Sequence, residues 1–244
     1  MIDFITQISW VAVLEIIAID ILLGGDNAVV IALACRNLPA KQRRLGILWG
    51  TAGAIVLRVV LIFFALSLLQ VPGLKIAGAV LLLWIGVKLL VAEDEEGHGN
   101  VTGSDKLWGA VKTVIVADFV MSLDNVIAIA GAAETAPPGQ QLALVVFGLL
   151  VSIPIIVWGS QMVIKLMDRF PAVITVGGML LGWIAGTMAV TDPALLNYMP
   201  TVAAAKAELG LVVSTPVRYA AGVAGALFVL GLGLFLKRRA KAAH

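Results

Sequence analysis

The stretch "DILLGGDNAVVIA" at residues 20–32 places two aspartates, two glycines and an asparagine inside a long apolar segment. The chain around it is equally apolar: 61% of its 244 residues are hydrophobic and 13% are charged. Soluble domains average about 45–50% apolar and about 25% charged residues. The composition therefore predicts an integral membrane protein. The net charge of +2 is too small to indicate a nucleic-acid partner.

Seven segments are long and apolar enough to cross a bilayer, which takes about 20 helical residues. Charged, Pro-containing or Gly-rich connections separate them. The fold class predicted from this pattern is an all-α membrane protein in which residues 1–244 form a single transmembrane domain. The predicted spans are 7–34, 45–69, 74–92, 108–133, 141–166, 172–191 and 216–236.

The basic residues predict the orientation of these spans. Lys and Arg cluster after the first span, after the fifth span and in the C-terminal tail. With seven spans these three regions fall on one side, which is cytoplasmic because cytoplasmic loops carry an excess of Lys and Arg. The N-terminus is then outside and the C-terminus is cytoplasmic.

A second stretch, "DFVMSLDNVIAIA" at residues 118–130, repeats the first one at an offset of 98 residues. Residues 7–92 recur as residues 108–191, and the helix at 216–236 is an addition. Three spans are an odd number, so the second copy must enter the membrane from the opposite face. Inverted repeats of this kind are typical of secondary transporters, which bind their substrate near the middle of the membrane.

Four carboxylates inside the bilayer need a cavity, a partner or a cation, because each costs roughly 2.5–3.5 kcal/mol at the centre of a membrane helix. Asp20 and Asp26 would point about 120° apart on an ideal helix. They converge if the helix unwinds between them, which the Gly-Gly pair at residues 24–25 permits. The second copy has Ser-Leu at residues 122–123, which predicts a weaker distortion there.

The polar side chains of the two stretches form an all-oxygen ligand set. Such ligands suit hard divalent cations such as Mn²⁺, Mg²⁺ or Ca²⁺. Four carboxylates carry more negative charge than one divalent ion neutralises, so they would titrate as a coupled set, and protons would enter as the ion leaves. No prosthetic group is expected. The predicted metal ligands are Asp20, Asp26, Asn27, Asp118, Asp124 and Asn125.

Glu15 and Arg58 also lie inside predicted spans, at similar depths in neighbouring antiparallel helices. We expect them to form an ion pair. The pair would either lock the two helices together or act as an outer gate and countercharge that releases the metal.

The two stretches resemble the paired signature of the TerC (tellurite-resistance C) family of integral membrane proteins, and the resemblance covers nearly the whole chain. Members of this family, in the wider lysine-exporter superfamily, are associated with export of Mn²⁺. The resemblance implies a multi-pass Mn²⁺ exporter of the bacterial plasma membrane. It carries the acidic motif of the family onto the six predicted ligands. The function expected is export of a divalent metal ion from the cytoplasm by proton antiport.

Other functions stay open on the sequence. The same fold could export another cation or an amino acid, or deliver metal to secreted enzymes. An intramembrane aspartyl protease would need a Gly-x-Gly-Asp signature, and Leu23 stands where its first glycine belongs. A retinal protein would need a lysine in the last span, and residues 216–236 contain none. We therefore expect a transporter and not an enzyme, with the lipid bilayer, a divalent cation and protons as partners. The sequence makes no prediction about oligomeric state.

Overall fold

The computed structural model describes residues 10–23, 25–69, 71–91, 103–134, 140–195, 198, 201–203 and 211–242. Within these residues the chain is almost entirely helical, with one short hairpin before the last helix. In chain order the elements are α1 (Trp10–Leu23), α2 (Gly25–Cys35), α3 (Ala40–Leu69), α4 (Leu74–Val91), α5 (Gly103–Glu134), α6 (Gln141–Arg169), α7 (Ala172–Val190), β1 (Thr201–Ala203), β2 (Leu211–Val213) and α8 (Thr215–Ala242).

The candidate membrane spans are all helices. Among the described residues, five helices (α3, α4, α6, α7 and α8) are long and apolar enough to cross a bilayer, or up to six spans if the bent pair α1–α2 counts as one. The fourth predicted span, residues 108–133, lies within α5, which is one unbroken helix of 32 residues. The total of seven spans stays a prediction.

The first predicted span is bent close to the Gly-Gly pair. Helix α1 ends at Leu23 and α2 begins at Gly25, and the axes of Val13–Ile21 and Gly25–Cys35 differ by 48°. Asp26 therefore lies in the first turn of α2, where the unpaired backbone N–H groups favour a negative charge. The equivalent position in α5 is continuous helix. The bend is compatible with the unwinding that the Gly-Gly pair permits, and the unbroken α5 is compatible with a weaker distortion at residues 122–123.

The chain divides into two compact units. The first unit, residues 1–66 with 107–164, holds α1, α2 and most of α3, α5 and α6. The second unit, residues 67–106 with 165–244, holds α4, α7, the hairpin and α8. The first unit thus holds the first two helices of each predicted repeat. The second holds the third helix of each repeat and the additional helix. The single transmembrane domain stays a prediction.

In the first unit, the order of contacts along the helices gives their relative directions. On α3, a Cβ at Gly46 would lie 3.1 Å from Cys35 Sγ on α2, whereas Arg58 pairs with Asp20 on α1. Residues later in α3 contact residues earlier in α1–α2, so α3 runs antiparallel to that pair.

Helix α5 runs parallel to α3. A Cβ at Gly50 would lie 3.0 Å from Val114 Cγ1, and Arg58, further along α3, pairs with Asp118, further along α5. The two helices that carry the acidic stretches are therefore antiparallel to each other. An inverted repeat requires this relative direction, and the repeat of all three helices stays a prediction.

Gly50 and Gly148, which match at the offset of 98, make matching contacts. A Cβ at Gly50 would lie 3.0 Å from Val114, and one at Gly148 would lie 2.6 Å from Cγ2 of Ile16. Val114 and Ile16 are themselves 98 residues apart. Each glycine lets the second helix of one half approach the first helix of the other half, because a larger side chain would collide.

In the second unit, Asp192 holds the beginning of α4. Its side chain is 0% exposed. Its Oδ1 accepts hydrogen bonds from the backbone N–H groups of Gly73 at 2.8 Å and Ala194 at 2.7 Å. Its Oδ2 accepts from Lys75 at 3.0 Å and Ile76 at 3.2 Å. The first N–H groups of a helix have no intrahelical partner, so Asp192 caps α4 from a distant part of the chain.

Residues 192–215 connect the sixth and seventh predicted spans. The described part of this segment contains β1 and β2, which pair in antiparallel fashion with Thr201 opposite Val213. This hairpin is the one non-helical regular element within the described residues, and it lies outside every candidate span.

Candidate functional site

Arg58 on α3 joins two aspartates from different helices. Its Nη1 donates a hydrogen bond to Oδ1 of Asp20 on α1. Its Nη2 donates to Oδ1 of Asp118 on α5 at 2.6 Å. The side chains of Arg58, Asp20 and Asp118 are 3%, 1% and 5% exposed. The arrangement is a buried ionic triad, in which one positive charge is shared by two negative ones.

Ser122 completes the hydrogen bonds of this triad. The Nε of Arg58 donates to Oγ of Ser122 at 3.2 Å, and that hydroxyl donates to Oδ2 of Asp118 at 3.1 Å. Arg58 therefore donates from all three nitrogens of its guanidinium. The planar fork of arginine suits such a site, since it presents donors in fixed directions to carboxylates.

The helix packing positions the triad. The close approach of α3 to α5 at Gly50 places the long Arg58 side chain, about two turns later, beside Asp118. The antiparallel pairing of α3 with α1 places Asp20 on the other side of the same guanidinium. A buried charge is strongly unfavourable without a partner, so the three side chains stabilise one another's burial.

The predicted ion pair between Glu15 and Arg58 is wrong. Arg58 pairs with Asp20 and Asp118, and Glu15 is exposed. Five residues separate Glu15 from Asp20, which is about 500° of helical rotation and puts them on well-separated faces of α1. Only one of the two can face α3, and the face that carries Asp20 is buried there.

Two further predicted ligands lie near the triad. Asp26, at the start of α2, is half-buried, and its charge interacts with those of Asp118 and Arg58. Asn27 is buried and lines a small cavity together with Asp118. Four of the six predicted ligands, three of them on α1–α2 and one on α5, therefore lie in one region of the first unit.

The remaining two predicted ligands are Asp124 and Asn125. The side chain of Asp124 lies outside the described residues, so its place in the site stays a prediction. Asn125 is half-buried on α5, and its part in the site also stays a prediction.

Six buried side-chain oxygens of the first unit have no hydrogen-bond partner within the described residues. Three belong to predicted metal ligands, namely Oδ2 of Asp20, Oδ1 of Asp26 and Oδ1 of Asn27, and the other three belong to Gln42, Thr51 and Gln140. Buried oxygens of native proteins nearly always have a partner, so a cation, a proton or an ordered water is the kind of group that such atoms hold. The three oxygens of the predicted ligands are neutral or anionic donors, which suit hard cations.

The acidic groups are not gathered into a complete cage within the described part of the chain. No three His, Cys, Asp or Glu side chains there surround one point closely enough to hold a metal ion. In this conformation the positively charged guanidinium of Arg58 donates hydrogen bonds to one oxygen of Asp20 and one oxygen of Asp118.

Sequence reasoning missed two residues of this region. Ser122 was considered only as the counterpart of a glycine, and Ser152 was not considered. Ser152 on α6 lies beside Asp20 but donates its hydrogen bond to the carbonyl of Gly148 at 3.1 Å. A usable signal was present for Arg58: it is the one arginine deep within the predicted spans, and buried carboxylates attract such a charge.

Comparison with known proteins identifies the family. The model of the "Integral membrane protein TerC family" matches residues 5–241. The chain belongs to this family of integral, multi-pass membrane proteins.

Several bacterial proteins are similar to the chain. "Uncharacterized membrane protein YjbE" of Bacillus subtilis (strain 168) is 43% identical over 189 residues, which are 78% of this chain and 84% of that protein. "Uncharacterized membrane protein YkoY" of the same organism is 28% identical over 197 residues, 75% of this chain and 60% of that protein. A "UPF0053 protein" of Haemophilus influenzae is 24% identical over 181 residues, 67% of this chain and 74% of that protein. No solved structure matches the chain.

Proposed function

We propose that the chain exports a divalent metal ion, with Mn²⁺ as the favoured cargo, from the cytoplasm in exchange for protons. The observation that carries the proposal is the meeting of Asp20 and Asp118. They are equivalent positions of the two acidic stretches, they lie on antiparallel helices, and both contact Arg58. Membership of the TerC family is consistent with this role.

The chemistry of the oxygens supports a hard cation. Asp20, Asp26 and Asn27 each have a buried oxygen without a hydrogen-bond partner among the described residues. Carboxylate and amide oxygens bind Mn²⁺, Mg²⁺ and Ca²⁺, whereas copper and zinc sites generally use His or Cys. Selection of Mn²⁺ over the other two hard cations is part of the proposal.

Coupling to protons follows from the charge of the site. Four carboxylates and Arg58 together carry a formal charge of −3, and a divalent ion leaves −1. Carboxylates that share one site bind protons as a coupled set. We propose that protons replace the ion as it leaves, with the N-terminus outside, the C-terminus cytoplasmic and the site between the two inverted repeats in the bacterial plasma membrane.

The test is export by site variants in bacterial cells that lack their own Mn²⁺ exporter. Cells that make the unmodified protein should tolerate more external Mn²⁺ and hold less of it. Asp26→Asn and Asp124→Asn should each remove most of this protection, since each deletes one proposed ligand charge with almost no change in volume. The measurements are the growth-inhibiting Mn²⁺ concentration and total cell manganese.

Asp168→Asn is the matched control, because Asp168 is an exposed aspartate near the end of α6. It should protect cells as the unmodified protein does. Full protection by both Asp26→Asn and Asp124→Asn, at equal protein levels in the membrane, would show that the acidic stretches are not the export site.

An amino-acid cargo is the second candidate, and the place of Arg58 favours it. An amino-acid substrate would need a positive group beside the carboxylates, and Arg58 is such a group. Both terminal nitrogens of Arg58 are, however, already engaged by Asp20 and Asp118. Proteoliposomes loaded with Mn²⁺ or with radiolabelled lysine separate the two cargoes, and efflux of lysine without Mn²⁺ would support the second.

A protease stays a remote candidate, in line with the expectation that the chain is not an enzyme. Paired catalytic aspartates share one proton. Asp20 and Asp118 share a guanidinium instead. Incubation of the purified protein with membrane-spanning peptides tests this candidate, and cleavage that Asp20→Asn abolishes would establish it.

A further inference from the structure

We propose that Arg58 is a tethered competitor of the transported cation. The carboxylates of Asp20 and Asp118 bind either its guanidinium or the divalent ion, but not both at once. The inference rests on the proposed function and adds to it the group that releases the ion. The family membership and the relatives assign no such role to Arg58.

The contacts of Arg58 make the competition direct. Its two terminal nitrogens donate to Oδ1 of Asp20 and Oδ1 of Asp118, so the guanidinium lies between the two carboxylates, where a cation that bridges them would lie. A guanidinium and a divalent ion repel each other strongly when both are buried within a few ångströms. Binding of the ion to this pair of carboxylates therefore requires Arg58 to withdraw.

The same competition explains how the ion can leave. Two buried carboxylates without a positive partner are strongly unfavourable, so an acidic pocket alone would retain a divalent ion. Arg58 stays protonated at every physiological pH. It can therefore return to Asp20 and Asp118 as the ion departs. Its single positive charge then replaces one of the two positive charges that leave with the ion.

Only one of the two repeats supplies this group. The residue that matches Arg58 at the offset of 98 is Ile156, a buried apolar side chain on α6. Ser122 anchors the guanidinium from the other repeat through its bond to Nε at 3.2 Å. The competitor thus belongs to the first half of the chain, and its anchor belongs to the second.

The experiment measures Mn²⁺ binding to the purified full-length protein in detergent, by titration calorimetry and by the Mn²⁺ spectrum in electron paramagnetic resonance. Arg58→Gln removes the competing charge and should bind Mn²⁺ at least about tenfold more tightly than the unmodified protein. Its export from proteoliposomes should be slower, because the ion is released less readily. Arg58→Lys keeps the charge and should bind within about threefold of the unmodified protein.

Ser122→Ala is the second variant, because Arg58→Gln can fail to fold. It removes the hydrogen bond that Nε of Arg58 donates and the one that Ser122 donates to Oδ2 of Asp118, and it leaves every charge in place. Loss of the bond from Arg58 should tighten Mn²⁺ binding about fivefold. If Arg58→Gln does not give a monodisperse protein, Mn²⁺ binding by Ser122→Ala alone tests the role of Arg58.

The outcomes separate the two proposals. Unchanged or weaker Mn²⁺ binding by Ser122→Ala, and by Arg58→Gln if it folds, would overturn the role of Arg58 while leaving metal export intact. Absence of Mn²⁺ binding by the folded, unmodified protein would overturn the proposed function, and the role of Arg58 with it. Tighter binding with slower export supports both.

Discussion

Asp192 and Gly73 are 119 residues apart in the sequence, yet Oδ1 of Asp192 accepts a 2.8 Å hydrogen bond from the backbone N–H of Gly73. Gly73 itself has a φ of +85°, a conformation that favours glycine. The carboxylate ties the end of α7 to the beginning of α4. These helices are the third members of the two predicted repeats, so one side chain joins the two halves of the chain within the second unit.

Replacement of Asp192 should destabilise the protein. Asp192→Ala leaves the N–H groups at the start of α4 without their acceptors, and should lower the free energy of unfolding by about 2 kcal/mol. Asp192→Asn should cost about half as much, because the carboxamide keeps one acceptor oxygen. Thermal unfolding in detergent measures both. Asp168→Asn, on an exposed surface of α6, is the control, and an Asp192→Ala protein as stable as the parent would refute the cap.

The contribution of Asp192 should also depend on pH. Burial alone would raise the pKa of its carboxyl group, but the backbone donors Gly73, Ala194, Ile76 and Lys75 outweigh burial and hold the pKa below its ordinary value of 3.8. A carboxyl group with a lowered pKa stabilises the fold above its unfolded-state pKa, and this stabilisation is lost as the pH falls through the folded-state pKa.

The difference in Tm between the parent and Asp192→Ala should therefore be constant from about pH 5 to about pH 7 and should shrink on acidification below 3.8. The measurement is a series of thermal unfolding curves at different pH values in one detergent. A difference that widens as the pH falls would mean that Asp192 is protonated in the folded protein.

Asp20 and Glu15 are a matched pair of acidic residues on α1 with opposite expected effects. Asp20→Asn leaves Arg58 buried with one carboxylate fewer, and should lower the free energy of unfolding by about 3 kcal/mol. Glu15→Gln should change it by less than about 0.5 kcal/mol, because Glu15 is exposed. Chemical unfolding in mixed micelles provides the two values. Equal losses from both substitutions would restore Glu15 as a partner of Arg58.

Glycine replacements test the packing between the helices of the first unit. A Cβ at Gly148 would lie 2.6 Å from Ile16, whereas one at Gly109 on α5 would meet nothing within 4 Å. Gly148→Ala should therefore destabilise by about 1–3 kcal/mol through overpacking. Gly109→Ala should stabilise by about 0.5–1 kcal/mol through the unfolded state. Thermal unfolding compares them, and a neutral Gly148→Ala would mean that α6 and α1 have room to separate.

Much of the local structure could be predicted because it depends on neighbours in the sequence. Apolar length and Pro-marked turns predicted the helices, the Gly-Gly pair permitted the bend, and the offset of 98 paired Gly50 with Gly148 in the sequence. These features need only the rules of helix formation and the symmetry of a duplicated chain.

The partner of Arg58 could not be predicted in the same way. Counting residues from helix ends gives the depth of Glu15 but not the face of α1 that meets α3. A shift of one residue at a helix end turns a side chain by about 100°. The cap by Asp192 was missed for a similar reason, since its donors lie 116–119 residues away.

The sequence by itself determined that the chain is a membrane protein, which segments are helical, where the first span can bend and which acidic residues correspond in its two halves. Periodicity, composition and repetition are properties of the linear sequence, so they can be recognised without the tertiary structure. Only the tertiary structure decided which carboxylates Arg58 joins and which helix Asp192 caps. A buried charge takes whichever acceptors the packing brings within hydrogen-bonding distance, and the packing is set by close contacts, such as those of Gly50 and Gly148, between helices far apart in the chain.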